Sequence, residues 1–289
     1  MSIKTRLDER KLSKQRKIKE YEELTISDDF MFYKVMQNSE LCKELLEIIL
    51  SVEIEKLEYI SRQKVLRKTY DGKGIRLDVY TKDAEGTVYN LEMQAIKKSD
   101  IPKRSRYYQG VIDTDNFKEG ADYNSLNKSI IIFICRFDLF KKGRPIYTFK
   151  SFCEEEVGLE LGDEATRIFI NSKWILDKEK WDKSLVTPRM ASLLRYIEEG
   201  KVTDEYTKKL ECEISKVKQD MRWRKKYMVY EKNINYAREE GIVIGEERGQ
   251  ELMGRLYNIL LTSGQVEAAT RASTDPEYRE QLFKEYGLK

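Results

Sequence analysis

Two runs in the first third of the chain, Ile75-Arg76-Leu77-Asp78-Val79-Tyr80 and Thr87 to Ala95, alternate apolar and polar residues across the turn Asp83-Ala84-Glu85-Gly86. Period-two alternation marks a strand with one buried face, and a turn of this composition reverses the chain, so the segment predicts a β-hairpin. A hairpin centred near Ala84 or Glu85 sets Asp78 opposite Glu92 and puts Glu92 and Gln94 on one face. Directly opposed side chains sit about 4.5–5.5 Å apart at Cβ. Two carboxylates held that closely repel unless one keeps a proton or a cation lies between them.

The flanking segments predict what surrounds the hairpin. Thr25-Ile26-Ser27-Asp28-Asp29 offers capping side chains ahead of Phe30, Phe32, Val35 and Met36, which predicts a helix over about 28–37. Leu41, Leu45, Leu46, Ile49 and Leu50 recur at helical spacing and predict a second. Ile54 to Ser61 reads as extended, and Tyr70 to Gly74 as a loop. A helix follows over about 102–117, then the Ile-rich run Ser129 to Arg136, suited to a strand buried on both faces. Helix, hairpin, helix and strand in this order describe an α/β sandwich. From about Asp177 the charge density rises, strand signals vanish and Leu193, Leu194 and Ile197 take helical spacing, so the carboxyl-terminal region is helical. Gly241, Gly245 and Gly249 would line one face of a helix there, or else weaken it. A last helical pair joins near Thr274-Asp275-Pro276. The expected divisions are a basic arm over 1–23, an α/β domain over 24–176 and a helical region over 177–289.

Composition narrows the chemistry. The 289 residues include no histidine, which excludes Ser-His-Asp triads, His-ligated zinc and paired-His chemistry. Cys42, Cys135, Cys153 and Cys212 lie far apart and form no Cys-x-x-Cys pair, as expected of reduced thiols in a cytoplasmic protein. The apolar run Ile130 to Cys135 is too short to span a bilayer and no leader is recognisable, so no membrane association is expected. The net charge of +3 says little. Its distribution says more, because Lys4, Arg6, Arg10, Lys11, Lys14, Arg16, Lys17 and Lys19 face only Asp8, Glu9 and Glu20. Such an arm can neutralise phosphates, although it reads equally as a solvated terminus.

Without histidine, the opposed acids Asp78 and Glu92 are the centre of interest. A hard divalent ion is the natural occupant between them, and the carbonyl of Met93 is a candidate third protein ligand. Magnesium, or manganese as the alternative, would there activate a water and polarise a phosphate. The simpler reading is a pair of exposed strand residues matched with Arg76 or a lysine. Lys97, Lys98, Lys103, Arg104 and Arg106 follow directly and mix with Tyr107 and Tyr108, as a surface receiving a nucleic-acid backbone would, or as a solvated helix face would. Met221 to Tyr227 forms a second basic and aromatic cluster, read first as one side of an amphipathic helix.

The stretch Gly74 to Tyr80 followed by Asn90-Leu91-Glu92-Met93-Gln94 resembles the D…E-x-Q signature of the PD-(D/E)XK nuclease family transposases, also called recombination-promoting nucleases. Asp28 to Met36, Lys103 to Gln109 and Phe137-Asp138-Leu139-Phe140 with Gly143-Arg144 resemble the same family, in order, over about Leu24 to Trp174. The resemblance implies a restriction-endonuclease-like core, a four-stranded mixed sheet flanked by helices, with magnesium-dependent cleavage of DNA and a role in recombination, mobile elements or phage defence. It implies that Asp78 and Glu92 are metal ligands and that Gln94 occupies the position of the superfamily's lysine, supplying no positive charge. It also implies that Asp29, or adjacent Asp28, is the amino-terminal acid, and that Tyr108 and Gln109 project into the site. A DNA-binding or oligomerisation module that has lost cleavage, and a transposase with strand transfer, are the alternatives. A double-strand break made by a one-site enzyme points to a homodimer.

Overall fold

The computed structural model describes residues 19–61, 65–66, 75–76, 78–117, 120–177 and 182–288. The basic residues Lys4 to Lys17 and the expected loop Tyr70 to Gly74 lie outside them. By compactness the chain forms two units, Met1–Arg224 and Lys225–Lys289.

The first unit is built on a six-stranded mixed sheet in the order β1-β4-β5-β6-β8-β7. These strands are β1 (Leu57–Ser61), β4 (Val79–Asp83), β5 (Val88–Gln94), β6 (Ser129–Cys135), β7 (Ile146–Phe149) and β8 (Ala165–Asn171). The short strands β2 (Val65–Leu66) and β3 (Ile75–Arg76) pair with each other. β4 and β5 run antiparallel, whereas β5, β6 and β8 run parallel. A parallel neighbour requires a crossover, which the helix α3 (Ile101–Asn116) supplies between β5 and β6. β6 is buried at every position, as expected of a central strand covered on both faces. Alternation sorts its side chains: Ile131, Phe133 and Cys135 pack with Ile101, Tyr108, Val111 and Ile112 of α3, together with Tyr80 and Val88.

Two details depart from expectation. The resemblance implied four strands, but β8 and β7 extend the sheet to six. The strand expected over Ile75 to Tyr80 is broken, because Ile75 and Arg76 pair with β2, Asp78 sits in a bend and β4 begins at Val79.

The helices α1 (Asp29–Val35) and α2 (Ser39–Leu50) precede the sheet, and Asn38 caps α2 by accepting from the amides of Glu40 and Leu41. α4 (Pro188–Glu199) is capped by Thr187 and stops at Gly200, whose φ of 68° suits glycine. α5 (Glu205–Gln219) is capped by Asp204. Their apolar faces, Leu193, Leu194 and Ile197 on α4 and Tyr206, Leu210, Ile214 and Val217 on α5, are buried. Both helices pack against α2, and α5 also packs against α1. The Tyr206 hydroxyl donates to the Leu41 carbonyl at 3.0 Å and the Tyr21 hydroxyl to the Val217 carbonyl at 2.7 Å. By compactness α4 and α5 belong with the sheet, in the unit that runs to Arg224.

The helix α6 (Met221–Thr262) runs unbroken for 42 residues through Gly241, Gly245 and Gly249. Beyond it α7 (Val266–Thr274) and α8 (Pro276–Glu285) bury Ala269, Ala272 and Leu282 against Leu256 and Leu260 of α6, the core of the second unit. Among the described residues no helix is long and apolar enough to cross a membrane.

Candidate active site

The β4–β5 register pairs Val79 with Leu91 and Tyr80 with Asn90, a hairpin centred on Glu85. One residue further, Asp78 comes opposite Glu92, and side chains replace the regular ladder. The Asp78 amide donates to Glu92 Oε1 at 3.1 Å, and the Met93 amide donates to Asp78 Oδ2 at 3.3 Å. Each carboxylate thus accepts a backbone N–H of the other strand, which accounts for the break in the strand at Asp78. Both acids lie on the α3 face of the sheet, since they alternate in phase with Tyr80 and Val88.

Glu92 is only 2% exposed. Burial, and then the charge of Asp78, push its carboxyl well above the usual range. Hydrogen bonds from the Asp78 amide and from Asn90 Nδ2, the latter 3.3 Å from Oε1, pull the other way, as does Arg104. Asn90 Oδ1 is buried and has no hydrogen-bond partner among the described residues.

Arg104, in the first turn of α3, reaches across this face. Its Nη1 donates to Gln94 Oε1 at 3.3 Å and its Nη2 to the Tyr108 hydroxyl at 3.2 Å, with Nη2 3.7 Å from Glu92 Oε2. The guanidinium also lies 5.5 Å from the Tyr108 ring centre and 5.7 Å from that of Phe133. The amide of Gln94 is used at both ends, since its Nε2 donates to the Met93 carbonyl at 3.0 Å. Burial, and then Glu92, raise the Tyr108 hydroxyl above the usual tyrosine range.

The structure separates the other expected site residues. Gln109 donates to Asp113 and to Ser129 Oγ, and Ser129 is level with Val88 at the far end of the parallel pair from Gln94. Adjacent residues on a helix point about 100° apart, so Tyr108 reaches Arg104 beside the acids whereas Gln109 turns toward Ser129. Lys97, Lys98, Lys103 and Arg106 are exposed. Asp29 is exposed at the start of α1, while Asp28 accepts from Lys19 Nζ at 2.6 Å and from the Thr25 amide at 2.8 Å. Among the described residues no group of three or more acidic or cysteine side chains is placed to hold a metal ion.

Two further groups shape this end of the sheet, Arg136 and Asp138, of which only Asp138 lay in a block that carries the resemblance, without a role. The amide of Arg136, just past β6, donates to the Gln94 carbonyl at 3.1 Å. Its side chain donates to Ser27 Oγ at 3.3 Å and grips Glu198 of α4 through Nε at 3.2 Å and Nη2 at 3.0 Å. The start of α1 is thereby tied to the carboxyl end of β6. Asp138 organises the next loop, accepting from the amides of Phe140, Lys141 and Gly143 and from the Tyr147 hydroxyl. Against the opposing effect of burial, these bonds hold its carboxyl below the usual range. Lys97 Nζ donates to the Asp138 carbonyl at 3.3 Å, so this loop sits beside the end of β5. The spacing of Asp138 and Gly143 was the only local hint of such a turn.

The donor set fits a hard divalent cation. Asp78 and Glu92 offer carboxylate oxygens, and the Met93 carbonyl, which accepts from Gln94 Nε2, adds a backbone oxygen beside them. All are oxygen ligands, and two like charges, one of them buried, gain from a cation between them.

No curated protein and no solved structure gives a match. The family model for the PD-(D/E)XK nuclease family transposases matches residues 27–247, a span from the cap of α1 through the hairpin, α3 and the Asp138 loop into α6. With most of its length matched, and a mixed sheet carrying the opposed acids of the D…E-x-Q signature, the chain belongs to the PD-(D/E)XK nuclease family transposases.

Proposed function

We propose that this chain is a metal-dependent DNA endonuclease that hydrolyses phosphodiester bonds at Asp78 and Glu92. The reciprocal backbone bonds of these two acids, one of them buried, carry the reading. Asp78, Glu92 and the Met93 carbonyl would hold the ion, magnesium or manganese. When bound, it would supply an activated water and a Lewis acid for the phosphate. Gln94, fixed at both ends of its amide, keeps the Met93 carbonyl oriented. Lys97, Lys98, Lys103 and Arg106 supply exposed positive charge for the DNA backbone, and Asp29 stands as a further acid at the start of α1. A homodimer cutting both strands, a cytoplasmic setting and a role in recombination or defence belong to the same proposal.

Asp78→Ala and Glu92→Gln should each abolish magnesium-dependent nicking of supercoiled plasmid while leaving the circular dichroism spectrum unchanged. Nicking at the parental rate by either variant would refute the assignment. A joined-end assay with labelled donor DNA separates hydrolysis from strand transfer.

A further inference from the structure

We propose that Arg104 supplies the positive charge that Gln94 lacks, and so belongs to the phosphate-binding centre itself rather than to the outer grip on DNA. The proposal rests on the nuclease reading above. Lys103 and Arg106, its neighbours on α3, are exposed, whereas the Arg104 side chain is 22% exposed and held from several sides. Gln94 and Tyr108 take one N–H each, and the rings of Tyr108 and Phe133 flank the guanidinium.

A guanidinium has five N–H donors in a planar fork, matched to carboxylate and phosphate oxygens. The bonds to Gln94 and Tyr108 leave donors for an incoming phosphate. At 3.7 Å the contact with Glu92 is an ion pair but too long for a hydrogen bond, so a phosphate oxygen can be engaged without breaking a short bond there. Gln94 therefore acts as a bracket: its Oε1 aims the guanidinium and its Nε2 engages the Met93 carbonyl. A lysine at this position would bring its charge on β5, and here the charge arrives from α3. Arg104 thus contacts the substrate phosphate directly beside the acids, and Gln94 is the residue that positions it.

This placement predicts opposite effects on two ligands. Arg104 competes with a cation for Glu92, so Arg104→Met should bind Mn2+ several-fold more tightly in calorimetry of the full chain without DNA. The same variant should bind a short DNA duplex in Ca2+, which permits binding without turnover, about ten-fold more weakly, the loss expected for one charged hydrogen bond. Arg104→Lys should recover most of the DNA affinity. Gln94→Lys placed in the Arg104→Met chain should do the same by returning the charge to β5. Both affinities unchanged, or both falling together as for a purely structural residue, would overturn the proposal, as would Arg104→Lys behaving like Arg104→Met. These are binding measurements, so they stay separate from the loss of nicking in Asp78→Ala that tests the nuclease reading.

Discussion

The pair formed by Arg136 and Glu198 should be strongly asymmetric in what its two halves contribute. The Glu198 side chain is 5% exposed and that of Arg136 is 31% exposed. Glu198 accepts from Arg136 Nε and Nη2 and from Ser172 Oγ at 2.5 Å. Arg136→Met would leave a buried carboxylate with a single hydroxyl donor, at a cost of about 3–5 kcal/mol. Glu198→Gln would keep an acceptor for Ser172 and leave Arg136 partly in water and bonded to Ser27, at a cost of about 1–2 kcal/mol. The double change to methionine removes both charges together and should cost less than Arg136→Met alone. Urea unfolding followed by tryptophan fluorescence reads the correct unit, because Trp174, Trp181 and Trp223 all precede Lys225. Equal losses in the two single variants, or a double variant whose loss is their sum, would refute the reasoning.

A pH prediction concerns Glu92. Its pKa is raised on folding, so the folded chain retains a proton that the unfolded chain has already released. Stability contributed by this group is therefore lost as pH rises from the unfolded value, about 4.3, through the folded one. In chelator, Glu92→Gln should match the parent near the acid end of that window and exceed it in thermal midpoint at mildly alkaline pH; a variant less stable than the parent there would reverse the sign. In the second unit, a Cβ at Gly241, Gly245 or Gly249 meets nothing within 4 Å. Alanine at all three should strengthen α6 by about 1 kcal/mol per site, read as helicity and melting temperature by circular dichroism. A fall in either would mean that this face is occupied in solution.

The acid pair was legible in the sequence because period-two alternation and one turn determine which residues oppose. A hairpin centred on Glu85 leaves no freedom in the placement of Asp78 and Glu92. Arg104 was legible as a charge but not as a partner of Gln94, since the phase of α3 against the sheet depends on how Ile101, Tyr108 and Ile112 pack on Phe133. The same phase directs Gln109 toward Ser129. β8 escaped notice because Ala165 to Asn171 has a short apolar stretch in place of alternation, and its pairing with β6 is long-range. The apolar faces of α4 and α5 were visible as helical spacing. That they close over α1 and α2, which joins them to the compact unit of the sheet, depends on contacts between residues such as Leu41 and Tyr206.

The Asp138 loop has a kinetic and entropic meaning as well as a geometric one. Four donors converge on a single carboxylate, and Lys141 is held at a φ of 57°, a conformation few side chains adopt unaided. Lys141, Lys142 and Arg144 are exposed on a backbone that is already stitched down. An anion docking there would meet charges whose loop has little freedom left to surrender, so the entropy that a slack loop loses on binding has here been spent during folding.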